Sequence, residues 1–377
     1  MTSPRMPGSA DPGIRRAVPS GARVVGVDIA RGLALIGMFV AHVAPMAPDP
    51  GVAALLDIAD ERPRLLFALT AGIGLGLISG GIRPTVERRD RGILRRQIAI
   101  RAVILIALGL LIAVTLQPLV FIILDVYGLA FLLMLPLLYL PPRVALGLGV
   151  GLLAVTPGLA AIAAATPFVS QARLTPVRLL VDWTVSGAYP VVIWVPVMLI
   201  GLALVRLDLG SRTTVAVAGL AGAAAAFIAL PLASTLPSPA MVADAAWSVP
   251  LRASLETFGN TGVAAAVVSV LLALTTFAAP RVRRVTVAVT SPIAAMGGMP
   301  LSIYTLHLVV LALAIRVDPA TDTLTDDSWG LLIGLVIGSM AFAWLWRRYV
   351  GRGPLETMLR WASGRGRAPR EPERPAD

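Results

Sequence analysis

The sequence predicts an all-α fold, a polytopic membrane helical bundle of about ten transmembrane helices with both termini cytoplasmic. Three observations carry this. Of 377 residues, 57% are apolar and only 14% charged, where soluble domains run at about 45–50% and about 25%. The charges gather into clusters separated by apolar stretches of about 20 residues, the length of a helix that crosses a hydrocarbon core. The arginines alternate from one connection to the next, dense then sparse, as the positive-inside rule requires.

Ten spans follow: 24–45, 64–82, 97–117, 119–140, 143–165, 186–206, 213–235, 254–279, 289–315 and 329–347. One face collects Arg15, Arg16 and Arg23, the run Arg83 to Arg96, Arg143, Arg206, Arg212, Arg281, Arg283, Arg284 and everything from Arg347 onward. The other holds only Arg62, Arg64, Arg173, Arg178, Arg252 and Arg316, beside Asp57, Asp60, Glu61, Asp318, Asp322 and Asp326. With Arg5, twenty-four arginines against six set the first face in the cytoplasm. The net charge of +11 is therefore a topology signal with some affinity for anionic lipid, and nucleic acid is not expected as a partner. The expected location is the cell membrane, as a multi-pass protein in the lipid bilayer.

Residues 1–23 are rich in Pro, Gly and Arg and read as a disordered cytoplasmic tail. They are not a cleaved leader, because the apolar run that follows is too long for an h-region and carries Asp28, Arg31 and His42. Residues 24–350 form the transmembrane domain. Residues 351–377 form a basic tail, in which Leu355 to Trp361 has the pattern of a short amphipathic helix. The outer segments 46–63, 166–185, 236–253 and 316–328 are long enough to fold over a cavity mouth. Asp182-Trp183 reads as an interfacial piece. Gly72, Gly74 and Gly76, and the run Ala221 to Ala226, read as close helix packing. Pro190 and Pro196 kink the sixth span.

The chain has no cysteine and no lysine, and only two histidines. Thiol nucleophiles, cysteine-ligated metals, lysine Schiff bases and a three-histidine zinc site are thereby excluded; no metal is expected.

A charge at the centre of a bilayer costs a few kcal/mol, so ionisable residues inside the spans mark functional candidates. They are Asp28 and Arg31 in the first span, His42 at its far end, Arg101, Asp125 and His307. Plainer roles compete for some of them. Asp28 lies in the first helical turn, where the dipole favours a carboxylate, and it stands three residues from Arg31, the spacing of an ion pair. Arg101 is one turn inside the cytoplasmic boundary and can snorkel to it. Glu256 starts its span and reads as a surface residue. Arg31 and His42 are harder to dismiss. Eleven residues return a helix to within ~20° of its starting direction and advance it ~16 Å, so both project from one stripe, Arg31 at inner depth and His42 near the outer end. Topology sorts the others in the same way. Asp125, Tyr127, Tyr304, His307 and Arg62 fall at outer depth with His42, and Arg101 falls at inner depth with Arg31. The expectation is a polar path through the bundle, with its catalytic end facing out and its cationic end facing in.

The stretch RVVGVDIARGLALIGMFVAHVAP at 23–45 resembles the opening of the bacterial heparan-alpha-glucosaminide N-acetyltransferase-like membrane proteins, part of a wider transmembrane acyltransferase superfamily. The Arg31 to His42 spacing is similar to a motif of the acyltransferase-three branch, where the pair is implicated in handling the acyl-CoA donor and transferring its acyl group. Similarity continues in order through ERPRLLFALTAGIGLGL (61–77), where Arg62 matches a family arginine, and DVYGLAFLLMLPLL (125–138). It runs on through GAYPVVIWVPVMLIGLALVRLDL (187–209), AMGGMPLSIYTLHLVVLALA (295–314) and GPLETMLR (353–360). One departure stands out. The heparan-processing enzymes keep their catalytic histidine in the loop after the first span, and here residues 46–63 contain none.

The resemblance implies an integral-membrane acyltransferase that moves an acetyl or similar group from cytoplasmic acetyl-CoA or another acyl-CoA. The acceptor would be a hydroxyl or amine of an envelope glycan, lipid or small molecule at the outer face. Arg31, oriented by Asp28, and Arg101 would hold the donor, since the guanidinium fork suits phosphate. His42 would act as base or acyl carrier, and Arg62, Asp125, Tyr127, Tyr304 and His307 would shape the acceptor side. The alternative is a transporter or flippase, for which Pro, Gly and midplane polar residues are equally expected.

Overall fold

Each apolar stretch that the sequence isolates becomes helix, because a backbone in lipid has to satisfy its hydrogen bonds within the segment. The computed structural model describes residues 24–172, 177–237, 247–318 and 322–364. The expected tail 1–23, Arg173 and the last part of the basic tail lie outside the described residues. The helices in chain order are α1 (Val25–Val43), α2 (Pro50–Leu56), α3 (Arg62–Ile78), α4 (Arg88–Thr115), α5 (Leu124–Met134) and α6 (Pro142–Ala164). Next come α7 (Pro167–Ala172), α8 (Arg178–Val181, continued by a π-turn Asp182–Ser186), α9 (Val191–Arg206), α10 (Arg212–Ser234) and α11 (Ser248–Leu272). The remainder are α12 (Pro280–Val289), α13 (Ser291–Gly297), α14 (Pro300–Ala314), α15 (Trp329–Tyr349) and α16 (Pro354–Ala362). A short antiparallel hairpin, β1 (Arg316–Asp318) with β2 (Thr323–Thr325), pairs Arg316 with Thr325 and precedes α15.

The chain is a multi-pass membrane protein. Among the described residues six helices are each long and apolar enough to cross: α1, α4, α6, α10, α11 with its π-turn, and α15. Two bent pairs bring the number to eight, the α8 segment with α9 (47°) and α13 with α14 (88°). The other two expected spans are helical but shorter, with 17 residues in α3 and 11 in α5. Pro136, which has no N–H to donate, follows close on α5 and interrupts the ladder there. The ninth expected span, read as one helix, is sharply broken at Gly297-Gly298-Met299-Pro300.

The core lies where α1, α3, α9, α11 and α13 meet, and glycines set the spacing. An added Cβ at Gly72 of α3 would overlap the Met198 carbonyl of α9, and one at Gly201 would overlap the Leu69 carbonyl in return. Gly32 of α1 and Gly297 of α13 are pressed against each other's backbones in the same way. Such small-residue seams let helices associate in lipid, where there is no hydrophobic force between them. Outside this core, α10 and α15 turn Val217, Leu220, Phe227, Ile333 and Ile337 outward, the apolar surface that a bilayer covers. Arg206, at the end of α9, ties the arginine-rich ends together. It donates to Ser79 Oγ (2.7 Å), to the Leu138 carbonyl (3.0 Å) and to the Gly81 carbonyl.

Candidate functional site

The break between α13 and α14 exposes two helix ends inside the protein, and both are answered by charge. The Arg31 guanidinium donates to the Gly297 carbonyl at the end of α13 (3.2 Å), to the Thr70 carbonyl of α3 (3.2 Å) and to Asp28 Oδ1 (3.3 Å). A cation at a helix C-terminus is where the dipole favours it. Beyond the break, Glu356 of α16 accepts from the amides of Leu301 (2.7 Å) and Ser302 (3.1 Å) at the start of α14, and from the Ser302 hydroxyl. Part of the segment that the sequence reads as a tail thus docks on the bundle, with Leu359 buried. These groups surround an inner cavity of about 240 Å³ on the arginine-rich side, lined by Arg31, Arg101, Tyr127, Tyr304, Phe67 and Glu356 among others.

Eleven residues further along α1, His42 reaches the opposite end. Its Nδ1 lies 3.3 Å from Nε2 of His307, with the two rings stacked at 5.5 Å and an interplanar angle of 17°. His307, fully buried, bonds through Nδ1 to the Tyr304 carbonyl. A carbonyl can only accept, so Nδ1 of His307 carries a proton, and in the neutral ring its Nε2 offers a lone pair. His42 Nδ1 must then donate to that lone pair, which leaves the neutral His42 ring with its own free pair on Nε2. The sequence of contacts fixes one tautomer of the only histidine that lines the outer cavity.

That cavity, about 480 Å³, is bounded by His42, Asp60, Arg64, Tyr189, Asp326 and Asp327. Arg64 bonds Glu61 and the Ala188 carbonyl (2.8 Å), with its guanidinium 5.9 Å from the centre of the Tyr189 ring. Burial pushes the Asp326 carboxyl above its usual range. A neighbouring space of about 700 Å³ shares Val120, Phe121, Ala188 and Tyr189 with it and contains Asp125, Asp182 and Trp183. Trp183 Nε1 donates to Asp125 Oδ2 at 2.8 Å.

The structure brings together His42 with His307, and Arg31 with Asp28, Arg101, Tyr127 and Tyr304. It parts other groupings. Arg62 does not line the outer cavity but donates to Asn260 of α11 (3.1 Å); Arg64 lines it instead. Tyr127 and Tyr304, expected at outer depth, line the inner cavity, while Asp125 stays outside. In both pairs the cause is helical geometry, because residues two apart project ~200° from each other. The single polar path resolves into two cavities that share no lining residue. Between them stands a wall of rings, with Tyr304 packed edge-on to His307 at 4.7 Å and Phe39 at 5.0 Å from it. The Tyr304 hydroxyl, which accepts from the Ile123 amide at 3.0 Å, anchors this wall. Sequence reasoning missed Arg64, Asp326 and Glu356 as cavity residues. The first was hidden by its neighbour Arg62, and the other two lie in segments read as loop and tail.

Two family models match the chain. No curated protein matches the chain. The model of a family described only as a protein of unknown function (DUF418) matches residues 204–365. The model of the heparan-alpha-glucosaminide N-acetyltransferase catalytic family matches residues 23–234, more than half of the chain and the part that holds α1, Arg31 and His42. By that match the chain belongs to the heparan-alpha-glucosaminide N-acetyltransferase catalytic family of membrane acyltransferases.

Proposed function

We propose that the protein takes an acyl group, acetyl or similar, from acyl-CoA on the cytoplasmic, arginine-rich side and delivers it at the outer face. The acceptor is a hydroxyl or amine of an envelope glycan, lipid or small molecule. One observation carries the reading: a histidine with a fixed tautomer ends the same helix stripe on which Arg31 lines the inner cavity. Arg31 and Arg101 supply the positive field that an anionic donor needs in a low-dielectric cavity. His42 Nε2 takes the proton from the acceptor X–H as X bonds to the thioester carbonyl carbon. The tetrahedral adduct then breaks its C–S bond, and the leaving thiolate receives the proton from the His42 imidazolium. The products are acyl-X and CoA thiol. For the thioester to approach His42, the Tyr304 ring, held by the single bond to Ile123, has to yield.

A carrier draws support from the broken α13–α14 element, since discontinuous helices also line transport sites. Vesicles containing the protein and envelope material, supplied with acetyl-labelled acetyl-CoA, separate the two. Transfer puts label covalently on lipid or glycan in step with CoA thiol release. Label that crosses the membrane with its thioester intact refutes transfer and supports the carrier.

A further inference from the structure

The outer cavity holds a buried carboxylate, Asp326, to which the transfer step above gives no role. Asp326 is 4% exposed and lines the same cavity as His42. Its Oδ2 is buried, with no hydrogen-bond partner among the described residues. A buried carboxylate oxygen left unsatisfied is costly, and the segment that holds it is fastened in place. Ser328, two residues on, donates its amide to the Val43 carbonyl (2.9 Å), the residue next to His42. The Asp327 amide bonds Thr325 Oγ1 (3.1 Å), and Arg316 donates to the Asp327 carbonyl. Two residues of chain reach at most ~7 Å, so Asp326 is tethered near the end of α1, on the cavity that His42 also lines. Asp60 and Asp327 line the same cavity; among the described residues its one lining arginine, Arg64, is already engaged by Glu61 and Ala188.

Resting on the acyl-transfer reading above, we infer that Asp326 is the acceptor-holding residue. Its unpartnered carboxylate oxygen accepts a hydrogen bond from an O–H or N–H of an acceptor seated in the cavity that His42 lines. The reacting end of the acceptor is therefore uncharged or cationic, and a phosphate or carboxylate next to the nucleophile is excluded by Asp60, Asp326 and Asp327. Asp326 transfers no proton. It positions, and the group-transfer step is unchanged.

The test uses the full chain in proteoliposomes and reads CoA thiol released from acetyl-CoA. 2-Aminoethanol and glycerol serve as surrogate acceptors, and O-phosphoethanolamine is the anionic counterpart. The expected result is stimulation by the first two and not by the third. Asp326→Ala raises the surrogate KM at least tenfold and leaves the acetyl-CoA KM unchanged, and Asp326→Asn recovers part of the loss because its amide oxygen still accepts. An unchanged surrogate KM in Asp326→Ala, an equal rise in the donor KM, stimulation by O-phosphoethanolamine, or no stimulation by any surrogate overturns the inference. A wild-type protein that breaks no thioester even in the presence of envelope material overturns the acyl-transfer reading itself, and is thereby distinguished from a failure of Asp326 alone.

Discussion

His307→Phe tests whether the second histidine orients the first. Phenylalanine keeps the ring between Tyr304 (4.7 Å) and Phe39 (5.0 Å) and removes both nitrogens. The lost bond to His42, 3.3 Å between neutral groups, is a modest one. Such bonds contribute about 1 kcal/mol, so the ratio of the Nδ1–H to the Nε2–H form of His42 falls about fivefold, and kcat falls by up to that factor. The acetyl-CoA KM stays fixed, because His307 lines neither cavity. Thiol release is followed with an aromatic disulfide reagent, which in a cysteine-free chain reads only CoA. A folded His307→Phe protein at the wild-type rate refutes the tautomer argument. One as inactive as a His42 deletion refutes it in the other direction, since His307 would then take part in the chemistry directly.

Arg31→Lys keeps the charge but loses the planar fork that reaches Asp28 and Gly297 from Nη1 and Thr70 from Nη2; the donor KM should rise about tenfold or more in steady-state kinetics, and an unchanged KM removes Arg31 from donor binding. Gly297→Ala forces a methyl into the Asp28 carbonyl, whereas at Gly74 the nearest atom to an added Cβ is Arg31 Nη2 at 3.7 Å. Thermal unfolding in detergent should show a loss of about 1–3 kcal/mol for the first and little for the second, and equal melting curves contradict the packing account. Glu356→Gln weakens the cap on α14 by about 1 kcal/mol. Trp361 fluorescence and protease sensitivity near Ala362 report the undocking of α16 that this predicts, and an unmoved α16 contradicts it.

How far the sequence could be read depends on which physical rule was at work. Apolar length depends on the solvent, so the helical membrane bundle is legible in the sequence. The Arg31–His42 stripe rests on helical period alone, and both residues do turn inward to cavities. Period also required Arg62 and Arg64 to face apart, and Asp125 and Tyr127 likewise. What the sequence did not contain was which of each pair faces the core, because that depends on neighbours such as Asn260 and Trp183, 198 and 58 residues away. The wall between the cavities is likewise a tertiary product, built by rings from α1 and α14. The α13–α14 break had a local signal in Gly297-Gly298-Met299-Pro300, overridden by the apolar run around it. The hairpin that brings Asp326 to His42 had none, because three-residue strands give too short an alternation to stand out.

The most direct test of the account is the rate of thiol release from acetyl-CoA by His42→Ala, in membranes that also supply envelope acceptors. His42 is half-buried at a helix end, so the variant should fold with a melting temperature close to that of the unaltered chain. A fall of at least about 100-fold with the donor KM unchanged is expected. A folded His42→Ala protein that releases thiol and labels acceptor at the original rate contradicts it.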